Sequence, residues 1–396
     1  MVSLDVPTVL ALNSGSSSLK FGLYRVGRSP PEVLFSGEAD LAGGGAGRFR
    51  VDDPRGAALV RETASFTDQH RAIVRIGTFL TERQMPVPTA VGHRVVHGGP
   101  QLRRHCLIDD PVLRQLEAAT PFAPLHIPPA LAVIRFAQDH FRGIPQAACF
   151  DTAFHADLPD VARVLPIARD LQREGVQRYG FHGLSCESIV RQLAIDAPRR
   201  LIIAHLGNGA SVTAVRDGRS IDTSMGLTPT GGVIMGTRSG DLDPGVLAYL
   251  VREQKLGAAG LEELVNHRSG LLGISGISSD MRHLHEAASS EPDARLAIGM
   301  FCSSVAKQVA AMITVLDGVD MIVFTGGIGE NDGKTRATIC GRLAWMGIKL
   351  DDARNGSGSD PISDPASRCL VRVLAPREEE QIARHTWALL SDGLGS

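Results

Sequence analysis

In VLALNSGSSSLKFGLY (9–24) an apolar run breaks into a polar Gly/Ser turn and resumes with Leu19, Phe21 and Leu23 alternating. That pattern predicts strand, tight turn, strand. The phrase returns as IIAHLGNGASVTAV (202–215): laying Gly15 on Gly207 puts Asn13 over His205 and Ser16 over Asn208, an offset of 192 in a chain of 396 residues. An offset so near half the length predicts an internal duplication. A third phrase, MIVFTGGIGEN (321–331), is again a strand running into glycines, and residues 294–316 before it carry apolar positions at helical spacing up to a stop at Gly318. Helix followed by buried strand is the grammar of an α/β fold.

Length and composition bound the rest. At about 150 residues per domain, 396 residues predict two domains. Lys plus Arg is 41 against 43 Asp plus Glu, a formal charge of −2, which argues against a nucleic-acid or membrane-surface partner because such proteins present a basic face. The six cysteines stand far apart with no C-x-x-C pair, and so read as free thiols rather than zinc ligands. The sequence shows no apolar run approaching the 18 or so residues of a membrane span and no basic leader at its start, so a soluble cytoplasmic protein is expected. Residues 39–56 and 351–368 read as loops, CLVRVLAP (369–376) as a strand, and residues 378–391 as a terminal helix whose acidic first turn suits the helix dipole.

Three Gly-rich turns, at residues 14–18, 207–211 and 326–331, carry the first functional signal. Backbone N–H groups in such turns converge on anions, and glycine permits approach that a β-carbon blocks. Each alone is an ordinary turn; together they favour a nucleotide. None has the P-loop form, and GGIGEN lacks the dinucleotide spacing, which disfavours Walker-type and Rossmann enzymes. Arg94 in GHRVVHGG (92–99) and Arg238 in MGTRSGDLDP (235–244) sit among glycines, where a planar fork suits phosphate or carboxylate oxygens. Asp151 follows an apolar run, at the strand end where α/β proteins place ligands, though a helix N-cap reads equally well. His182 in YGFHG alone would pass for a structural histidine, Asp241 and Asp243 for loop formers or a metal pair, and Glu378 for a dipole partner.

Taken in order, LNSGSSSLKF, GHRVVHGG, FAPLH, FDTAFH, YGFHG, HLGNGAS, TSMGLTP, MGTRSGDLDP and FTGGIGEN resemble the acetokinase family of short-chain carboxylate kinases from end to end. The resemblance implies two duplicated βββαβαβα domains of the sugar kinase, actin and heat-shock chaperone ATPase type with an interdomain cleft. Residues 1–150, completed by the C-terminal helix 379–396, would form one domain, and residues 151–378 the nucleotide-binding one. It implies reversible transfer of a phosphoryl group from ATP to acetate by an in-line route, with Mg²⁺ or Mn²⁺ as cofactor, small-molecule partners, and a homodimer.

Residue by residue, the resemblance places Asp151, His182, Arg238 and Arg94 in catalysis and Asn13 and Glu378 at the metal, with Glu379 the alternative register in REEE (377–380). Lys20, His205, Leu206, Gly207, Asn208, Gly209, Asp280, Met281, Arg282, Gly327, Ile328, Gly329, Glu330 and Asn331 would face the nucleotide. Arg94, Val96, Leu125, Phe181 and Pro229 would surround the carboxylic acid. Ile127, Arg377 and the TGGV phrase from Thr230 depart from the family pattern, which bears on substrate preference more than on the reaction. Propionate or butyrate are alternative substrates, since one methylene discriminates by only about 1–3 kcal/mol. A nucleotide-gated binding protein without phosphorylation is the alternative from another class. The paired arginines speak against it, as the retained Arg94, Asp151, His182 and Arg238 speak against an inactive homologue.

Overall fold

Strand β1 (Thr8–Ser14) is buried at every position but its last, as a strand covered on both faces must be, and one half of the molecule is built outward from it. The computed structural model describes residues 6–15, 18–27, 30–40, 47–64, 66 and 69–394. Its contacts divide the chain into two units, Met1–Ala156 with Arg377–Ser396, and Asp157–Pro376.

In the first unit β1 pairs antiparallel with β2 (Ser18–Arg25), which continues through β3 (Glu32–Asp40) and β4 (Gly47–Asp52) to β5 (Ala58–Ala64). On its other side β1 runs parallel to β6 (Ala90–Val95), and beyond β7 (Cys106–Leu107) in sequence comes β8 (Gln146–Phe150), parallel to β6; the sheet order is β5-β4-β3-β2-β1-β6-β8-β7. Helix Glu378–Leu394 packs on β1, β6 and β8. It comes so close that a β-carbon on Gly92 would stand 2.3 Å from Thr386 Oγ1, so this position admits only glycine. A Phe-rich core, in which Phe21 stacks on Phe49 at 5.5 Å and Phe35 meets Phe79 edge-on at 5.0 Å, joins β2, β3 and β4 to helix Gln69–Glu82.

The second unit repeats the order. β9 (Arg200–Leu206) pairs antiparallel with β10 (Ala210–Arg216), which pairs with β11 (Arg219–Thr223). On its other side β9 runs parallel to β12 (Met321–Thr325), and β12 to β13 (Leu370–Val373), giving β11-β10-β9-β12-β13. This is β3-β2-β1-β6-β8 over again, and β9 begins and ends 192 residues after β1. The protein is a two-domain α/β fold with a duplicated sheet.

Four sequence expectations are corrected. Residues 39–56 were expected as loop but contain β4, whose inward Gly47, Phe49 and Val51 alternate with exposed arginines; glycine-rich flanks hid a short strand, and residues 41–46 lie outside the described residues. Residues 351–368 include helix Asp352–Ser357, capped by Asp351 and burying Asn355. The turn expected at 326–331 is helix Gly326–Asn331, since five residues after Gly326 continue in helical conformation. Among the described residues, helix Pro292–Leu316 is long and apolar enough to cross a membrane, contrary to the expectation of no such run, because Lys307 is the one charge in its apolar middle. It packs instead against β9 and β10, with Phe301, Val305 and Val309 fully buried. All six cysteines are free, five of them buried.

His93 on β6 and Gln146 on β8 form a buried pair, His93 Nε2 to Gln146 Oε1 at 2.7 Å, while His93 Nδ1 and Gln146 Nε2 have no partner among the described residues. Burial pushes the imidazole down to about 4, against the weaker lift from Gln146. A base with a depressed folded pKa stabilises the protein above its unfolded value near 6.5 and loses that contribution as pH falls towards about 4. Denaturant titrations should show stability dropping by on the order of 3 kcal/mol across that window, and His93→Gln should flatten the slope. An unchanged slope would place the acid sensitivity elsewhere.

Candidate functional site

The candidate residues fall into two sets, one on each unit. In the first, the parallel register of β6 and β8 sets Arg94 beside Cys149, and Asp151 follows directly on β8. The Arg94 fork donates from Nε to both Asp151 oxygens at 3.1 and 3.0 Å and from Nη2 to Oδ2 at 2.5 Å, while Nη1 reaches the Ser14 carbonyl at 3.2 Å. Asp151 is therefore not an N-cap but the holder of an arginine, and it is 1% exposed. Burial raises its carboxyl pKa against the opposing pull of Arg94. For Arg94 burial works against the cation, but Asp151 and Glu378 more than compensate and its pKa rises.

One amide settles where the acidic helix start points. Asn13 Nδ2 donates to Glu378 Oε2 at 2.9 Å and to Glu379 Oε1 at 2.8 Å, so both registers meet the same residue. Burial and the neighbouring Glu378 charge push Glu379 up, with the Asn13 hydrogen bond and Lys20 opposing. Two carboxylates and an amide held together this way are hard oxygen donors carrying surplus negative charge, a set suited to Mg²⁺. Lys20 on β2 is exposed and pairs in register with Asn13. Val96 is buried and Leu125 is 44% exposed. Of the turn at 14–18, Gly15 N–H donates to the Ser18 carbonyl at 2.9 Å, and Ser16 and Ser17 lie outside the described residues.

In the second unit His182 takes a left-handed conformation, φ 57°, at the N-cap of helix Gly183–Leu193. Its Nδ1 lies 2.9 Å from Ser211 Oγ, and its ring stacks on His205 with centroids 4.1 Å apart; His205 Nδ1 in turn meets Ser185 Oγ at 2.8 Å. A β-carbon on Gly209 would stand 3.3 Å from His182 Nε2 and 3.4 Å from Arg238 Nη1. Imidazole and guanidinium therefore crowd one glycine together, with Arg238 anchored on the Pro229 carbonyl at 3.2 Å and Phe181 buried. Asp241 and Asp243 serve the loop: Asp241 accepts from Gly232 N–H and Asp243 caps helix Pro244–Glu253.

A cavity of about 1000 Å³ in the same unit is lined by Gly207, Asn208, Asp280, Met281, Arg282, Gly327, Ile328 and Asn331 of the expected nucleotide residues. His205, Leu206, Gly209, Gly329 and Glu330 are not among its lining. Asp280 caps helix Met281–Ala287, and the Arg282 hydrogen bond at 2.6 Å holds its carboxyl down at about 2. Ser211, Ser185, His285, Asp332 and Asn355 were missed by sequence reasoning. Ser211 had a usable signal, since a hairpin folded at residues 207–209 sets it opposite His205. His285 and Asp332, joined at 2.9 Å across the cavity wall, had none.

A family model described as the acetokinase family matches residues 8–384. The chain is 42% identical over 397 residues to an acetate kinase of Methylocella silvestris, covering 96% of this chain and 98% of that one. Among solved structures it resembles a propionate kinase from Francisella tularensis, with TM-score 0.87, 37% identity and coverage of 97% and 100% of the two chains. It also resembles an acetate kinase of Porphyromonas gingivalis, with TM-score 0.84 at the same identity and coverage.

A carboxyl whose folded pKa is raised contributes stability that is present below its unfolded value and lost as pH rises through the folded one. In metal-free protein at about pH 8, Glu379→Gln should therefore raise the thermal midpoint by about 2 °C, with less gain at about pH 5. A lowered midpoint at both pH values would show that the carboxylate pair is not under like-charge strain.

Proposed function

The chain belongs to the acetokinase family, the ATP-dependent carboxylate kinases, and on that premise we propose that it transfers the γ-phosphoryl group of ATP to acetate, reversibly, giving acetyl phosphate and ADP. The observation that carries the reading is the pairing of His182 Nε2 and Arg238 Nη1 over Gly209. Two cationic or N–H donors above a residue without a side chain suit phosphoryl oxygens whose charge grows in the transition state.

Acetate is already a nucleophile, so no base is required: one carboxylate oxygen forms the new P–O bond while the bond to the β-phosphate oxygen breaks and ADP leaves with its electron pair. Arg94, held in one orientation by Asp151, offers its remaining N–H capacity to the carboxylate. Asp151 thus positions an arginine rather than moving a proton. His182, its ring held by Ser211, and Arg238 stabilise the transferring group. Val96 and Phe181, both buried, and Pro229 and Leu125 are assigned to the acid's alkyl end. Asn13, Glu378 and Glu379 would hold Mg²⁺, which when bound neutralises phosphate charge and lowers the repulsion between two anionic substrates. The nucleotide takes the cavity lined by residues 207–208, 280–282, 327–328 and 331.

Propionate is the second reading, favoured by the equal identity to the two solved kinases. We assign the protein to the cytoplasm, in keeping with its free thiols, and to a homodimer. Helix Pro244–Glu253 supports a dimer, since Val246, Leu247, Tyr249 and Val251 on it are all exposed. Light scattering should give twice the chain mass, and Tyr249→Glu should halve it.

The deciding assay traps acyl phosphate as its hydroxamate, with Mg-ATP and formate, acetate, propionate or butyrate in parallel. Product with acetate or propionate is expected, falling by at least about a hundredfold in Arg238→Ala. No product from any acid, with ATP still bound, would leave a nucleotide-gated binding protein.

A further inference from the structure

Arg336 is a buried arginine, 2% exposed, with no carboxylate in hydrogen-bond contact among the described residues. A guanidinium out of water is costly unless its donors are met, and here oxygens from two segments meet them. Nη1 donates to the carbonyls of Gly329 at 2.9 Å and Glu330 at 2.8 Å, which stand at the end of helix Gly326–Asn331, where carbonyls lack helical partners. Nε donates to Asn355 Oδ1 at 2.9 Å and Nη2 to the Asn355 carbonyl at 2.8 Å, within helix Asp352–Ser357. Asn355 Nδ2 closes the ring on the Gly333 carbonyl at 2.8 Å.

The two helices so joined are both cavity walls: Gly327, Ile328 and Asn331 line it from one, and Asp352, Asn355 and Gly356 from the other. Arg336 itself does not line the cavity. Gly207 and Asn208, also lining, adjoin Gly209 with its His182 and Arg238 donors, so the phosphate end belongs there, beside Gly327, and Ile328, Asn331, residues 280–282 and residues 352–356 remain for the nucleoside. We propose that Arg336 is a nucleotide-positioning residue, whose bracket to Gly329, Glu330 and Asn355 fixes the spacing of the walls that grip the nucleoside. The inference rests on the cavity being the nucleotide site. No other residue type replaces it: lysine keeps the charge but cannot bridge the two segments with a planar fork.

The test is a double-mutant cycle of Arg336→Lys and Asn355→Ala, read by calorimetric binding of MgADP and by steady-state kinetics. Each single variant should weaken MgADP and raise the ATP KM by about tenfold, and Arg336→Lys, whose residue does not line the cavity, should leave the acetate KM and kcat at saturating ATP within about twofold. The double variant should be little worse than either single one, because both act through one bracket. Additive losses, or a lowered thermal midpoint with unchanged MgADP affinity, would overturn the proposal. If Arg336→Lys does not fold, hydrogen exchange in Asn355→Ala decides. Faster exchange at residues 326–331 together with weaker MgADP supports the bracket, and unchanged exchange there removes it. Wild-type protein that binds no MgADP would instead strike at the nucleotide reading of the cavity.

Discussion

Parallel pairing at one side of each central strand is the constraint on which the rest depends. β1 beside β6, and β9 beside β12, end in the same direction, so the loops that follow them emerge along one edge of each sheet. Asn13, Arg94 and Asp151 come from such strand ends in the first unit, and His205, residues 207–209 and Gly326 from those in the second. Carboxyl ends of parallel strands are where α/β proteins present ligands, because main-chain N–H groups there are unpaired and side chains can be held by the sheet behind them. The antiparallel partners β2 and β10 then fix the phase, placing Lys20 opposite Asn13 and Ser211 opposite His205.

The two units put this edge to different electrostatic use. The first balances charge internally: one guanidinium against one buried carboxylate, and two further glutamates sharing a single amide. Its unsatisfied quantity is negative charge, felt at Glu379, whose carboxyl is pushed up by burial and by Glu378. The second gathers donors, with imidazole and guanidinium crowded over Gly209 and a helix beginning at Gly326. At that glycine φ is +78°, and a side chain would strike the Leu206 carbonyl, so the close turn from β12 into the helix depends on having none.

Alternation is a local signal, and so β1, β2, β9 and β10 were legible in the sequence along with the duplication. β4 was not, because the alternation of Phe49 and Val51 is short and sits behind glycines. Arg94 and Asp151 could each be suspected, yet that they pair follows only from the register of β6 against β8 across more than fifty residues. Glu378 and Glu379 were indistinguishable for a physical reason: the amide of Asn13 reaches both. Arg336 left no trace because most of its acceptors are main-chain carbonyls, which every sequence has. Helix Pro292–Leu316 was legible as a helix from its spacing, while the length of its apolar stretch, which reflects burial against β9 and β10, was not.

The first unit is discontinuous, and its closing helix Glu378–Leu394 leaves the ribosome after every strand of both sheets. Until those seventeen residues are made, the face of β1, β6 and β8 that they cover has no lid, and the Gly92 niche stands open for any apolar chain that finds it. The second unit, by contrast, is continuous from Asp157 to Pro376 and has all its strands before that helix is made. The N-terminal half is thus the later one to mature, a reversal of the usual N-to-C order in which domains fold during translation.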